Sequence, residues 1–284
     1  MLYFNLTKSI IIFLGFFQIF LILATFKIII NHSNKEAEQP HQRIFCMILT
    51  QKKNIETKVK SVHTNWAYKC DGYVFSTAIP SEYINEKSLK VNDSIITYVN
   101  GVKILQPCGL NETSDIYDEL TRKVYRSFQY VYNQYEAFDW YLKADDDTFI
   151  MMDNLREFLG NKDKDSLVSY GYRFDETYVK NGYQSGGAGY VISGGGMKLL
   201  GSTLNRNFTF CQDWGIEDLD MGQCMRDLGI LPANSLDEEK KETFHFGSFE
   251  SHFWSDFSTD NWKFLLPDYP IRGVSLIQTL YIIF

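Results

Sequence analysis

No basic stripe runs through these 284 residues: 28 lysines and arginines stand against 35 aspartates and glutamates, a formal net charge of −7. That balance argues against a nucleic-acid partner, because neutralising a phosphate backbone takes a concentration of positive charge. Cysteine is sparse. Cys46, Cys70, Cys108, Cys211 and Cys224 contain no pair at zinc-knuckle spacing, so disulfides in an oxidising compartment fit them better. The odd count leaves at least one thiol over, with Cys108 the candidate. There is no internal repeat and no low-complexity tract. What is present is the composition of a folded protein: 45% hydrophobic, 16% aromatic and 22% charged, long enough for one large catalytic domain or two small ones. The aromatic content suits sugar faces and an ordinary core equally well.

From Ser9 to Ile30 the chain is apolar except for Gln18 and, near its end, Lys27. The run is about the length of a bilayer-spanning helix. It reads as an uncleaved anchor rather than a signal peptide, being too long and lacking a clean small-x-small cleavage site. Lys8 favours a cytosolic N-terminus, against Lys27 and Lys35 on the other side. Sequons at Asn92, Asn111 and Asn207 agree with a lumenal chain. The expected layout is a cytosolic tail over 1–8, a transmembrane signal anchor over 9–30, a polar stem over 31–42 and a lumenal domain over 43–284.

Within that domain, apolar Arg43–Thr50 reads as a buried first strand. Lys52–Cys70 resembles a helix with Val59, Val62, Trp66 and Ala67 on one side, and Gly72–Thr77 is a second strand. A short strand follows at Ile95–Val99. Thr113–Tyr135 has Ile116, Leu120, Val124, Phe128, Val131 and Tyr135 at helical spacing, with Ser114 as N-cap. A further strand enters the acidic cluster Asp145-Asp146-Asp147 and leaves it extended, before a helix that stops at Gly160. Strand and helix alternate as in an α/β domain.

Three carboxylates directly after a hydrophobic strand repel one another unless solvent or a cation offsets the charge. In open α/β sheets ligands bind beyond the carboxyl ends of strands, where this triplet falls. Hard oxygen ligands of this kind suit Mg²⁺ or Mn²⁺, shared with substrate phosphates. Two rival motifs fail. An EF-hand would need glycine at its sixth position and glutamate at its twelfth, and an aspartyl-phosphate hydrolase would need threonine where Phe149 stands. A D-x-D metal–diphosphate site remains. Gly186, Gly187 and Gly189 are not a dinucleotide fingerprint, since Ile192 holds the third glycine's place. They serve tight turning, or a close backbone approach to a sugar flanked by Tyr183 and Ser185. Glu217 and Asp218 lie between Cys211 and Cys224, whose pairing would fix them. Either could be a general base, or the pair could serve the dipole of the helix that follows.

The segments RIFCMILT, TNWAYKC, RSFQYVYNQY, DWYLKADDDTFIMMDNLR, YVKNGYQSGGAGYVIS, IEDLDMGQCMRDLGI and ETFHF, spread from Arg43 to Phe246, together resemble glycosyltransferase family 31 and within it the core 1 β1,3-galactosyltransferases. The resemblance implies a GT-A-type (Rossmann-like) fold behind the anchor, in a single-pass type II Golgi membrane protein. It implies inverting transfer of galactose from UDP-galactose to the 3-hydroxyl of Ser/Thr-linked N-acetylgalactosamine on glycoproteins; a homodimer is compatible with it. By the same resemblance Asp147 is the principal Mn²⁺ ligand, and Asp145, with Asp146 beside it, helps position metal and nucleotide. Thr50 and Lys123 touch UDP, and Asp218 is the base. Tyr183, Gly186, Gly187 and Glu217 shape the acceptor side, Trp262 stacks on the acceptor, and the disulfides are Cys46–Cys70 and Cys211–Cys224. Two departures stand out. Ile116-Tyr117 replace a Gly-Arg pair that helps hold the diphosphate, and GVSLIQTLYIIF replaces a segment whose histidine completes the metal site; neither His245 nor His252 is that residue. The alternative reading is therefore a catalytically impaired paralogue or chaperone-like partner of an active transferase. A fringe-like N-acetylglucosaminyltransferase fits the GYQSGGAGY run less well.

Overall fold

Six consecutive buried residues, IFCMIL, form strand β1 (Ile44–Leu49) at the centre of the computed structural model. A strand apolar at every position is what a sheet covered on both faces requires. Its side chains divide by alternation. Ile44, Cys46 and Ile48 pack with Val59, Val62 and Trp66, and Phe45, Met47 and Leu49 pack with Val124, Phe128 and Val131. Helix α1 (Lys58–Asn65) covers the first face and α2 (Leu120–Gln134) the second. The structure describes residues 41–174, 178–237 and 240–247, and the backbone of 281–283. The expected anchor Ser9–Ile30, His252 and Trp262 lie outside these residues. Among the described residues no helix is long and apolar enough to cross a membrane.

After α1 the chain forms β2 (Gly72–Ser76) and a meander of β3 (Leu89–Val91), β4 (Ser94–Val99) and β5 (Val102–Gln106). Helix α2 then leads to β6 (Trp140–Asp145), β7 (Thr148–Ile150) and α3 (Met152–Gly160). Next come β8 (Val168–Gly171), the small antiparallel pair β9 (Arg173–Phe174) and β10 (Tyr183–Gln184), and β11 (Tyr190–Ser193). Helix α4 (Gly194–Arg206), helix α5 (Glu217–Asp227) and β12 (Leu231–Pro232) follow. Nine strands form one sheet in the order β12-β8-β11-β6-β1-β2-β5-β4-β3. The four central strands, β6, β1, β2 and β5, are mutually parallel. From β1 the chain moves outward to β2 and β5, then crosses back through α2 to lay β6 on β1's other side. The strand order thus reverses between β1 and β6, whose last residues, Leu49 and Asp145, are register partners. A crevice at that switch point is where such sheets bind ligands. Strand β13 (Tyr281–Ile283) runs antiparallel to β7, just beyond the acidic cluster.

Both disulfides form: Cys46–Cys70 links β1 to the segment before β2, and Cys211–Cys224 ties the loop before α5 to that helix. Cys108 is a free thiol. The helices are shorter than their sequence patterns. Lys52–Cys70 divides into a 3₁₀ turn, α1 and a second 3₁₀ turn, with the break at Trp66, whose indole Nε1 donates to the Thr148 carbonyl at 3.1 Å. Ser114 is not an N-cap. It closes a turn with Asn111, and Asp115 is held across the sheet by Thr77, Ala78 and Lys123. Ile116 is consequently extended (φ −120°, ψ 167°), and helix geometry begins only after it.

Helices α2 and α4 pack closely because Gly201 has no side chain: a Cβ there would lie 2.3 Å from Cγ of Tyr132. Gly201→Ala should therefore cost about 1–3 kcal/mol by overpacking, read as a lower urea midpoint at unchanged slope. An unchanged midpoint would mean that these helices are free to separate.

Candidate functional site

A cleft of about 510 Å³ opens at the switch point, within the size range of small-molecule sites. Its walls include Thr50 from the end of β1, the triplet Asp145–Asp147 from the end of β6, and Ile116 and Tyr117 from the approach to α2. Lys123 also lines it, but its ammonium is already engaged, donating to the Thr50 carbonyl at 2.6 Å and to Asp115 at 2.8 Å. Burial lowers its pKa against the pull of Asp115. Lys123 therefore supports the floor of the cleft.

The three aspartates have different surroundings. Asp146 is nearly enclosed, its side chain 9% exposed. It accepts from Thr50 Oγ1 at 2.6 Å and Asn54 Nδ2 at 2.8 Å, and from Lys58 Nζ at 3.1 Å. Asp147 is open, 41% exposed, and among the described residues its carboxylate meets the other side of the same Lys58 ammonium, at 3.2 Å. Asp145 faces Lys143 at 2.9 Å; burial pushes its carboxyl up, and Lys143 opposes that shift. No group of three His, Cys, Asp or Glu side chains placed to hold a metal occurs among the described residues. Asp145 and Asp147 nevertheless offer hard carboxylate oxygens to the cleft, a donor set that fits Mg²⁺ or Mn²⁺ when phosphate and water complete the shell.

Lys143, unremarked in the sequence, joins this cleft to the other half of the site. It is 1% exposed in the middle of β6, and its Nζ reaches Asp145 at 2.9 Å, the Gly186 carbonyl at 3.0 Å and Glu217 at 3.3 Å. Its three N–H donors are thus matched to three oxygens, and the two carboxylates hold its pKa above that of a free lysine despite burial. Glu217 is completed by the Tyr190 hydroxyl at 2.7 Å. Burial raises the Glu217 carboxyl and Lys143 opposes it. Glu217 is thereby a buried member of the network, while its neighbour Asp218 is half-buried at the start of α5, accepting from the Gly186 N–H at 3.3 Å. Burial also raises the Asp218 carboxyl, offset by backbone hydrogen bonds from Gly186 and Leu219.

The glycines are required by this convergence. A Cβ on Gly186 would lie 2.6 Å from Glu217 Oε2, and Gly189 (φ +66°) would place one 2.7 Å from the Lys143 carbonyl. The Gly187 carbonyl accepts from Thr148 Oγ1 at 3.3 Å. Tyr183 is buried, with its ring 5.2 Å from that of Phe174. A further residue passed over in the sequence is Asp220. Fully buried, it accepts from Thr121 Oγ1 and from the backbone N–H groups of Trp214, Gly215 and Ile216, so the loop leading into Glu217-Asp218 is pinned to α2. Trp214 and Ile216 remain exposed on that pinned loop.

A family model described as galactosyltransferase matches residues 110–186, the stretch from before α2 through the triplet to Gly186. Glycoprotein-N-acetylgalactosamine 3-beta-galactosyltransferase 1 of Xenopus laevis is 32% identical over 245 residues, which cover 85% of this chain and 61% of that protein. This chain thus spans about three-fifths of the length of that relative. Among solved structures, the galactosyltransferase LgtC with donor and acceptor sugar analogs aligns over 67% of this chain and 73% of that one, at 13% identity and a TM-score of 0.36. An active-site mutant of LgtC gives 11% identity and a TM-score of 0.35.

Replacing Lys143 by Met leaves buried Glu217 and partly buried Asp145 without their cation, which should destabilise the chain by about 3–5 kcal/mol near neutral pH. Both carboxyl pKa values, raised already, rise further in the variant. A carboxyl with a raised folded pKa favours folding below its unfolded value and loses that contribution as pH climbs through the folded value. The difference in urea midpoint between variant and wild type should accordingly narrow from about pH 7.5 to about pH 5.

Proposed function

From the match of residues 110–186 to the galactosyltransferase family model and the similarity of the chain to a galactosyltransferase over 245 residues, we propose that it transfers galactose from UDP-galactose to the 3-hydroxyl of N-acetylgalactosamine on glycoproteins, with inversion at the sugar carbon. The observation that carries this reading is the Lys143 node. One buried ammonium holds the triplet's Asp145, the glycine turn and Glu217 within about 3 Å, so a cleft with diphosphate-binding chemistry and a half-buried aspartate, Asp218, share one rigid support.

In this reading the donor diphosphate lies in the cleft, with Asp145 and Asp147 as ligands of a divalent cation and Thr50 and Asp146 shaping the wall. When bound, Mn²⁺ would supply positive charge to the departing UDP. Asp218 accepts the proton of the acceptor 3-hydroxyl as that oxygen bonds to the galactose carbon and the bond to UDP breaks. Its burial raises its proton affinity, which suits a general base, and its bond to the Gly186 N–H fixes its direction. Glu217 and Gly186 position Asp218, and Gly187, Tyr183 and Trp262 belong to the acceptor side. The GT-A fold and Golgi membrane residence through Ser9–Ile30 are part of the same proposal, and the two disulfides are consistent with an oxidising compartment.

The test is turnover by the purified full chain with Mn²⁺, a panel of UDP-sugars and a GalNAc-peptide. UDP-galactose should be consumed, with kcat/KM reduced at least about 100-fold in Asp147→Ala and about 10²–10⁴-fold in Asp218→Asn. A folded protein that turns over no donor would overturn the reading in favour of the non-catalytic alternative.

A further inference from the structure

We propose that Lys58 is a tethered counter-cation, holding the open aspartates while the cleft is empty and moving to the donor's diphosphate when a divalent metal arrives. The inference rests on the donor-site reading above. Its basis is that one ammonium bridges two members of the triplet, at 3.1 Å from Asp146 and 3.2 Å from Asp147. Three adjacent carboxylates at a strand end repel one another, and a nearby cation offsets that repulsion. Lys143 compensates Asp145 from below, and Lys58 compensates the other two from the cleft.

The two lysines differ in freedom. Lys143 is enclosed, whereas Lys58 stands on the first turn of α1 with its side chain 44% exposed. A lysine is a point charge on a flexible four-carbon stem, and weak solvent-exposed pairs let it go readily. A divalent cation bound through Asp147 would find that ammonium on the same oxygens and be repelled by it. Phosphate oxygens entering with the nucleotide give the displaced ammonium a new anion within the same cleft. Lys123 cannot take this part, because it is buried against Asp115 and the Thr50 carbonyl. Lys53 lines the cleft, but the carboxylates of the triplet are bonded to Lys58 and Lys143 instead.

Two consequences have opposite signs, which makes the idea testable without turnover. Mn²⁺ binding to the full chain is followed by loss of the free-ion EPR signal in the absence of nucleotide, and UDP binding at saturating Mn²⁺ by calorimetry. In Lys58→Met, Mn²⁺ should bind about three- to tenfold more tightly and UDP about three- to tenfold more weakly, the scale of one or two partly exposed charge contacts. Lys58→Arg, which keeps the charge, should track the wild type and guards against a folding effect. Lys53→Met, which removes the same charge from the same cleft, should leave Mn²⁺ affinity nearer to wild type than Lys58→Met does. Unchanged or weaker Mn²⁺ binding in Lys58→Met overturns the proposal, as does an equal gain in Lys53→Met. If neither wild type nor variant binds Mn²⁺, the metal-dependent donor site falls, and this inference with it.

Discussion

An ammonium placed in the middle of a sheet must find oxygen for each of its protons or lose its charge. Lys143 finds three, one each from the end of its own strand, the glycine turn and the start of α5. Those segments are distant in sequence, and the buried charge is what makes their meeting obligatory: withdrawing any of the oxygens leaves a donor unmatched in a low-dielectric interior. The glycines follow from the same constraint, since Gly186 must approach Glu217 more closely than a Cβ allows.

The acidic triplet is built on divided labour. Asp146 is spent on the architecture, tying β1 through Thr50 to the turn before α1 through Asn54. Asp145 is half committed, to Lys143. Asp147 is the most open and has the fewest internal ties, which leaves it the most available to a ligand. A similar division runs through the IED segment: Glu217 is absorbed by Lys143 and Tyr190, Asp220 pins the preceding loop, and Asp218 between them stays half-buried. In both clusters the neighbours of the proposed working residue are used to hold it still.

Much of the fold was legible in the residues. The all-apolar run at Ile44–Leu49 and the hydrophobic approach to Asp145 each became a strand, and the 3.6-residue apolar spacing became the helix of α2 from Leu120 onward. The edge of the sheet was harder. Hydropathy marks only Ile95–Val99 as a strand there, although Asn92-Asp93 and Asn100-Gly101 supply two-residue turns with positive φ at both positions, the geometry of tight hairpins. A serine before a helical pattern resembles a cap, but Asp115 is drawn across to Thr77 and Lys123, so helix geometry starts at Tyr117 and α2 itself at Leu120. Lys143 left a signal in the sequence, a charge in the middle of the otherwise uncharged run WYLKA, whereas Lys58 is one of several nearby lysines with nothing to distinguish it.

The alternation of strands and helices, the acidic cluster at a strand end and the glycine turn are local patterns written in consecutive residues, and so can be read from the chain before it folds. Which carboxylate is exposed, which lysine answers it and whether Glu217 or Asp218 is absorbed into the interior were decided only by tertiary structure. Those outcomes depend on burial and on distances of about 3 Å between segments far apart in the chain, and local periodicity carries no information about either.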